Sequence, residues 1–91
     1  MSRRYDWDPE KAEANLHKHG VSFEGASQML DGDRDEERPD IEHSNSEVRI
    51  RTIGHTPLDK IIVVITSTGG PRPRIITARR ATKRERHEYV G

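Results

Sequence analysis

The sequence predicts an α+β fold: a small antiparallel β-sheet with two helices early in the chain and one C-terminal helix. Three observations predict it. Ile61-Ile62-Val63-Val64-Ile65 is an uninterrupted β-branched run, as expected of a strand buried on both faces. The stretch 47–55 alternates, with Val48, Ile50 and Thr52 on one side and Arg49, Arg51 and Ile53 on the other. Short turn-rich links, Thr56-Pro57-Leu58-Asp59 and Gly69-Gly70-Pro71, join three such stretches, and links this short allow only antiparallel neighbours.

The elements follow in order. Residues 4–7 suit a short first strand. Asp8 then caps a helix that Pro9 opens, because the first helical position needs no N–H, and Gly20 closes it after His19. Ala12 and Leu16, four apart, should face the core, while Lys11, Asn15, Lys18 and His19 share a polar stripe. Ser22 caps a second helix over 23–30, with Phe23, Ala26 and Leu30 on its apolar face. Residues 31–46 carry seven carboxylates against two arginines and read as a mobile loop with a short edge strand near 38–41. Strands are expected over 47–55, 60–68 and 72–78. Thr82-Lys83-Arg84-Glu85 has capping-box spacing, so a last helix should run over 83–89.

Charged residues make up 35% and hydrophobic ones 30%, a balance near the disordered class, but the apolar residues come in blocks, which indicates a folded chain. The 91 residues read as one domain over 1–91, without repeat or linker. There is no cysteine, no apolar stretch of membrane-spanning length and no signal-peptide pattern, so the expected location is the cytoplasm. Residues 1–47 hold 13 acidic and 6 basic side chains, and residues 48–91 hold 3 and 10. That asymmetry fits either a basic face for nucleic acid or two halves that neutralise each other.

The patterns of several enzyme classes are missing: there is no Gly-rich phosphate loop and no nucleophile elbow. His17 and His19 diverge on a helix, and His43 stands in a polar acidic loop, so no metal site and no cofactor are expected. What remains is basic. Arg49 and Arg51 share a strand face. Arg72, Arg74, Arg79, Arg80, Lys83, Arg84 and Arg86 gather near the last strand and helix, and Lys11, Lys18 and His19 line the first helix. If that helix packs beside the sheet, these groups surround one groove. Cleavage of a phosphodiester by the ribose 2′-hydroxyl needs such groups: a base for the hydroxyl proton, cations for the phosphorane charge and an acid for the leaving oxygen. Taken singly, each residue also has a plain structural role: solvated strand arginines, His19 on helix-end carbonyls, Trp7 in the core, Tyr89 anchoring the last helix.

Tyr5-Asp6-Trp7-Asp8, Lys11-Ala12, Asn15 and Lys18-His19-Gly20-Val21-Ser22-Phe23-Glu24 resemble the opening of the BrnT toxin family. His43-Ser44, Glu47, Arg49, Ile53-Gly54, Val63-Val64 and Arg74-Ile75-Ile76-Thr77-Ala78-Arg79-Arg80-Ala81, with Glu85 and Tyr89, continue the resemblance in order over nearly the whole chain. The resemblance implies a RelE-like fold and a ribonuclease that inhibits translation, and the basic residues read above would need no metal for the cleavage. It also implies a BrnA-like antitoxin partner in a hetero-oligomer that meets DNA only through the antitoxin. It carries over no settled catalytic set. Among the matching residues, Arg49 and Arg79 are expected to hold the scissile phosphate and His19 to act as acid or base. Lys18 is expected to supply charge, and Arg51, Arg74, Arg80 and Lys83 to bind the RNA backbone. The alternative is a non-catalytic module whose basic face docks nucleic acid or an acidic protein. The antitoxin is expected on that basic face or as a strand added to a sheet edge.

Overall fold

The computed structural model describes residues 4–32, 34–39, 49–56, 60–68 and 71–90. Three helices, α1 (Pro9–His19), α2 (Phe23–Asp31) and α3 (Lys83–Val90), accompany four strands, β1 (Arg34–Pro39), β2 (Arg49–His55), β3 (Ile61–Ser67) and β4 (Arg74–Arg80). The strands form one antiparallel sheet in the order β1-β2-β3-β4. The β-branched run therefore lies inside the sheet, paired on both sides.

Two expectations about elements change. Residues 4–7 do not make a full strand. Asp6 alone bridges Arg74 in parallel, through Asp6 N to the Pro73 carbonyl (2.9 Å) and Ile75 N to the Asp6 carbonyl (2.8 Å). The helix that Pro9 starts leaves no length for more. Part of the predicted acidic loop is a strand: β1 pairs with β2 from Arg34 opposite Gly54 to Pro39 opposite Ile50. The open backbone groups of β2 outweigh the weak β-propensity of Asp and Glu. Residues 40–48, with His43 and the start of the predicted 47–55 strand, lie outside the described residues, as do turn residues 57–59 and 69–70.

The two early helices begin and end as their caps dictate. Asp8 Oδ1 accepts from Glu10 N (2.9 Å), and Gly20 takes the left-handed conformation (φ 69°) while donating to the Leu16 carbonyl (2.8 Å). Ser22 Oγ accepts from Gly25 N at 3.0 Å. One face of the sheet, with Ile62, Val64, Ile75 and Ala78, packs on Phe23, Ala26, Met29 and Leu30 of α2 and on Tyr5 and Trp7. Trp7 meets Phe23 edge to face at 6.0 Å.

The docking of α1 departs from its apolar spacing. Ala12 packs on this core, but Leu16 is 48% exposed and Asn15 is buried. Asn15 Nδ2 donates to the carbonyls of Val21 (2.9 Å) and Ala78 (2.7 Å). Its Oδ1 accepts from Ala78 N (3.2 Å) and Thr77 Oγ1 (3.1 Å). The carboxamide thus serves the outer edge of β4 as a neighbouring strand would, and every hydrogen-bonding group it carries is used. α1 is turned so that Asn15, not Leu16, meets the sheet.

Candidate functional site

The second face of the sheet is more open. Its apolar part is small: Ile53, Val63 and Ala81, with Ile61, Ile65 and Tyr89 packed against them. Cross-strand register ranks the rest. Arg49, Ser67 and Arg74 lie side by side across β2, β3 and β4, and Ile53, Val63 and Arg79 form a later rank. Arg51, beside Ile65, falls between these ranks. On β2 and β4, Arg49, Arg51, Arg74 and Arg79 therefore share this face.

A bulge in β4 makes this possible. Ile65 opposes Thr77 and Thr66 opposes Ile75, which leaves Ile76 as an extra residue. Strict alternation would put Ile75 and Arg79 on one face. With the bulge, Ile75 and Ala78 both enter the core and Arg79 turns to the open side.

The last helix supplies a carboxylate to this face. Glu85 binds Arg79 with two hydrogen bonds, Nη1 to Oε1 at 2.7 Å and Nη2 to Oε2 at 2.9 Å, and Arg51 Nη2 reaches Oε2 at 2.5 Å. The capping box holds Glu85 in place: Thr82 N donates to Glu85 Oε1 (2.8 Å) and Glu85 N donates to Thr82 Oγ1 (3.1 Å). The Arg79 guanidinium, above all, keeps the Glu85 carboxyl well below the usual carboxylate range; burial opposes this, and the Thr82 N–H and Arg51 add to it. The same bonds raise Arg79 above the ordinary arginine value, against a cost of burial. Glu85 is therefore an anion that aims two arginines, and a poor base. Among the described residues two cations share this one carboxylate, and Arg49 and Arg74 lie on the same face.

At the far end of this face His55 Nδ1 lies 2.8 Å from the Tyr89 hydroxyl, with the rings tilted at 5.1 Å. Tyr89 anchors the last helix, as one reading of the sequence held.

The other expected site residues lie around this face. α1 runs alongside β4 in the same direction, from the Asp6–Arg74 bridge past the Asn15–Ala78 contact. Its end, at Gly20, shares a cavity with Lys60 and Ile62, and Ile62 is the partner of Arg80. Half-buried His19, one turn after Asn15, thus stands at the Arg80 end of β4, and Lys18 beside it is exposed. Neither is hydrogen-bonded or ion-paired to the arginine face among the described residues. Arg80 and Lys83 are exposed, Arg80 at the strand end and Lys83 on the first turn of α3. Arg74 lies six residues from Arg80, about 20 Å of strand away.

Sequence reasoning treated Glu85 as a cap and Asn15 as a surface residue, and it gave His55 no role. A signal for Glu85 was available: it is one of only three carboxylates among residues 48–91, and it follows Arg79-Arg80 by a turn. Among the described residues no three His, Asp or Glu side chains gather as metal ligands, and no helix is long and apolar enough to cross a membrane.

The family model for the ribonuclease toxin BrnT of type II toxin-antitoxin systems matches residues 7–85. The 1.1 Å crystal structure of the Brucella abortus ribonuclease toxin BrnT is similar in fold, with a TM-score of 0.61 and 24% identity over 87% of this chain and 96% of that one. No curated protein sequence matches significantly.

Proposed function

Because this chain belongs to the BrnT family of ribonuclease toxins of type II toxin-antitoxin systems, we propose that it cleaves RNA on the arginine face without a metal ion. The observation that carries this reading is the convergence of Arg51 and Arg79 on Glu85, on the sheet face that also holds Arg49. Arg49 and Arg79 hold the scissile phosphate. Arginine suits that role because it carries five N–H donors, so Arg79 keeps donors beyond those that Glu85 uses, and it stays charged as the phosphorane forms. The 2′-hydroxyl attacks the phosphorus, its proton leaves to a base, the 5′-oxygen departs with a proton from an acid, and a 2′,3′-cyclic phosphate remains. Arg51, Arg74, Arg80 and Lys83 contact the flanking backbone.

We assign the proton transfers to two histidines. His19, with Lys18 supplying charge, stands at the edge of β4, and His55 lies on the arginine face itself. An imidazole titrates near neutral pH and so suits both steps. Cleavage of cellular RNA is expected to inhibit translation, and a BrnA-like antitoxin is the expected partner.

The test is incubation of partner-free protein with RNA in EDTA. Products ending in cyclic phosphate support the proposal, while binding without cleavage would reduce the chain to a docking module. Profiles of rate against pH for His19→Gln and His55→Gln assign the acid and base. A variant whose profile keeps the height and shape of the wild type has lost no proton-transfer group.

A further inference from the structure

Beyond the arginine face, at the end of the sheet, lies an open cavity of about 210 Å³ lined by Lys60, Ile61, Arg80 and Arg86. Lys60 precedes β3, Arg80 ends β4, and Arg86 comes from α3, so three segments converge there. Among the described residues that line it, three are cations and one is apolar. None of the three cations forms an ion pair among the described residues.

The walls are joined to each other. Arg86 Nη1 donates to the Ala81 carbonyl at 3.3 Å, and Ala81 N donates to the Ile61 carbonyl at 3.0 Å. The Arg86 guanidinium is thereby held in the cavity wall with donors left over. Like charges gathered around one concavity repel, and an anion shared among them removes that repulsion. A backbone phosphodiester carries its charge on two non-bridging oxygens, and each can accept from more than one of the donors that arrive from the three segments.

We propose that Lys60, Arg80 and Arg86 form a second phosphate subsite, which holds an RNA backbone phosphate near the one bound at Arg79. The proposal rests on the reading of RNA as substrate. Its geometric basis is position at the end of the sheet: Arg80, the last residue of β4, follows Arg79 but leaves the strand on the opposite side, and Arg86 follows Glu85 on α3. The cavity therefore lies around the end of the sheet from the arginine cluster, and one strand of RNA that turns over this end engages both. The subsite fixes the register of the strand across the arginine face and reads no base.

The experiment measures binding of a non-cleavable 2′-O-methyl RNA to the partner-free protein over a range of salt. Wild type is compared with Lys60→Gln and with Lys60→Gln/Arg86→Gln. The double variant should bind about 10-fold more weakly at low salt, and its log–log salt slope should be shallower by about 0.7, the value for one phosphate contact in a single strand. Lys60→Gln, which removes no hydrogen bond of the fold, should show a smaller change in the same direction. Unchanged affinity and slope in both variants would overturn the subsite. So would two other results: loss of affinity for the antitoxin with RNA binding intact, which assigns the cavity to an acidic protein, or tight binding of inorganic phosphate with RNA binding intact. Because the RNA is not cleaved, the outcomes separate. A wild type that binds but never cuts ordinary RNA sinks the nuclease reading and leaves the subsite standing. A wild type that cuts, with variants that bind as well as it does, sinks the subsite alone.

Discussion

At Glu85 two guanidinium groups and a backbone N–H converge on one carboxylate whose side chain is 15% exposed. Its depressed pKa links this cluster to pH. The stabilisation is fully present above the ordinary carboxylate value of 4.5 and is lost as pH falls through the lower value of the folded state. Glu85→Gln should therefore cost about 1–2 kcal/mol at neutral pH, allowing for the partial exposure of both arginines, and the gap from wild type should close as pH drops below the carboxylate range. Denaturant midpoints measured from pH 7 to pH 3 decide this, and a gap independent of pH would refute it. Arg79 supplies the complementary test. Arg79→Ala leaves Glu85 bound to Arg51 and Thr82, so the fold should persist. Cleavage should fall by ~10²–10³, as when one transition-state donor is removed. Circular dichroism beside single-turnover cleavage measures both, and full activity in the folded variant would remove Arg79 from the chemistry.

At the scale of elements, the bulge in β4 and the seating of α1 are coupled. The bulged stretch presents Thr77 Oγ1 and the backbone of Ala78 to the outer edge of the sheet, and Asn15 binds all of these groups. Asn15→Ala removes four hydrogen bonds and leaves buried backbone groups of Ala78 and Val21 without partners, which should cost about 2–4 kcal/mol. Thermal unfolding with and without RNA reads the result. A loss below about 0.5 kcal/mol, the scale of a surface substitution, would mean that water replaces the carboxamide. The helices differ in what holds them. α2 buries Phe23, Ala26, Met29 and Leu30, whereas α3 is attached through Glu85 and Tyr89, so the helix that aims the arginines has little apolar anchorage of its own.

At the scale of the whole molecule, the charge asymmetry becomes a division of surface. Acidic β1 lies beside basic β2, and Arg72 reaches Asp6 at 3.7 Å, so the halves meet in part. The same layout limits how an antitoxin can add a strand. Asn15 and Asp6 already occupy the outer edge of β4, and among the described strands β1 is the other edge of the sheet. Capture by strand or helix packing should survive salt, with charge mainly speeding the encounter. Affinity for the antitoxin should thus stay high up to about 1 M salt, where the screening length is ~3 Å. A fall of several orders of magnitude would instead indicate an acidic segment that fills the arginine face and mimics RNA phosphates.

Much of this was legible in the sequence because it depends on neighbours along the chain. Asp8-Pro9, Ser22 and Thr82 with Glu85 cap helices through groups two or three residues away, and Gly20 ends α1 because its φ of 69° suits a residue without Cβ. The β-branched run determined the buried strand in the same local way, and the alternation in β2 already put Arg49 and Arg51 on one face. What the tertiary structure alone decided concerns groups far apart in the chain. Asn15 meets Ala78 across 63 positions and Arg51 meets Glu85 across 34, and no local preference encodes such distances. The bulge at Ile76 belongs to this class, since it exists only as a mismatch between two paired strands. A one-residue shift of register exchanges the faces of a strand, so pairing, and not the order of residues, set Arg79 on the open face with Arg49 and Arg51.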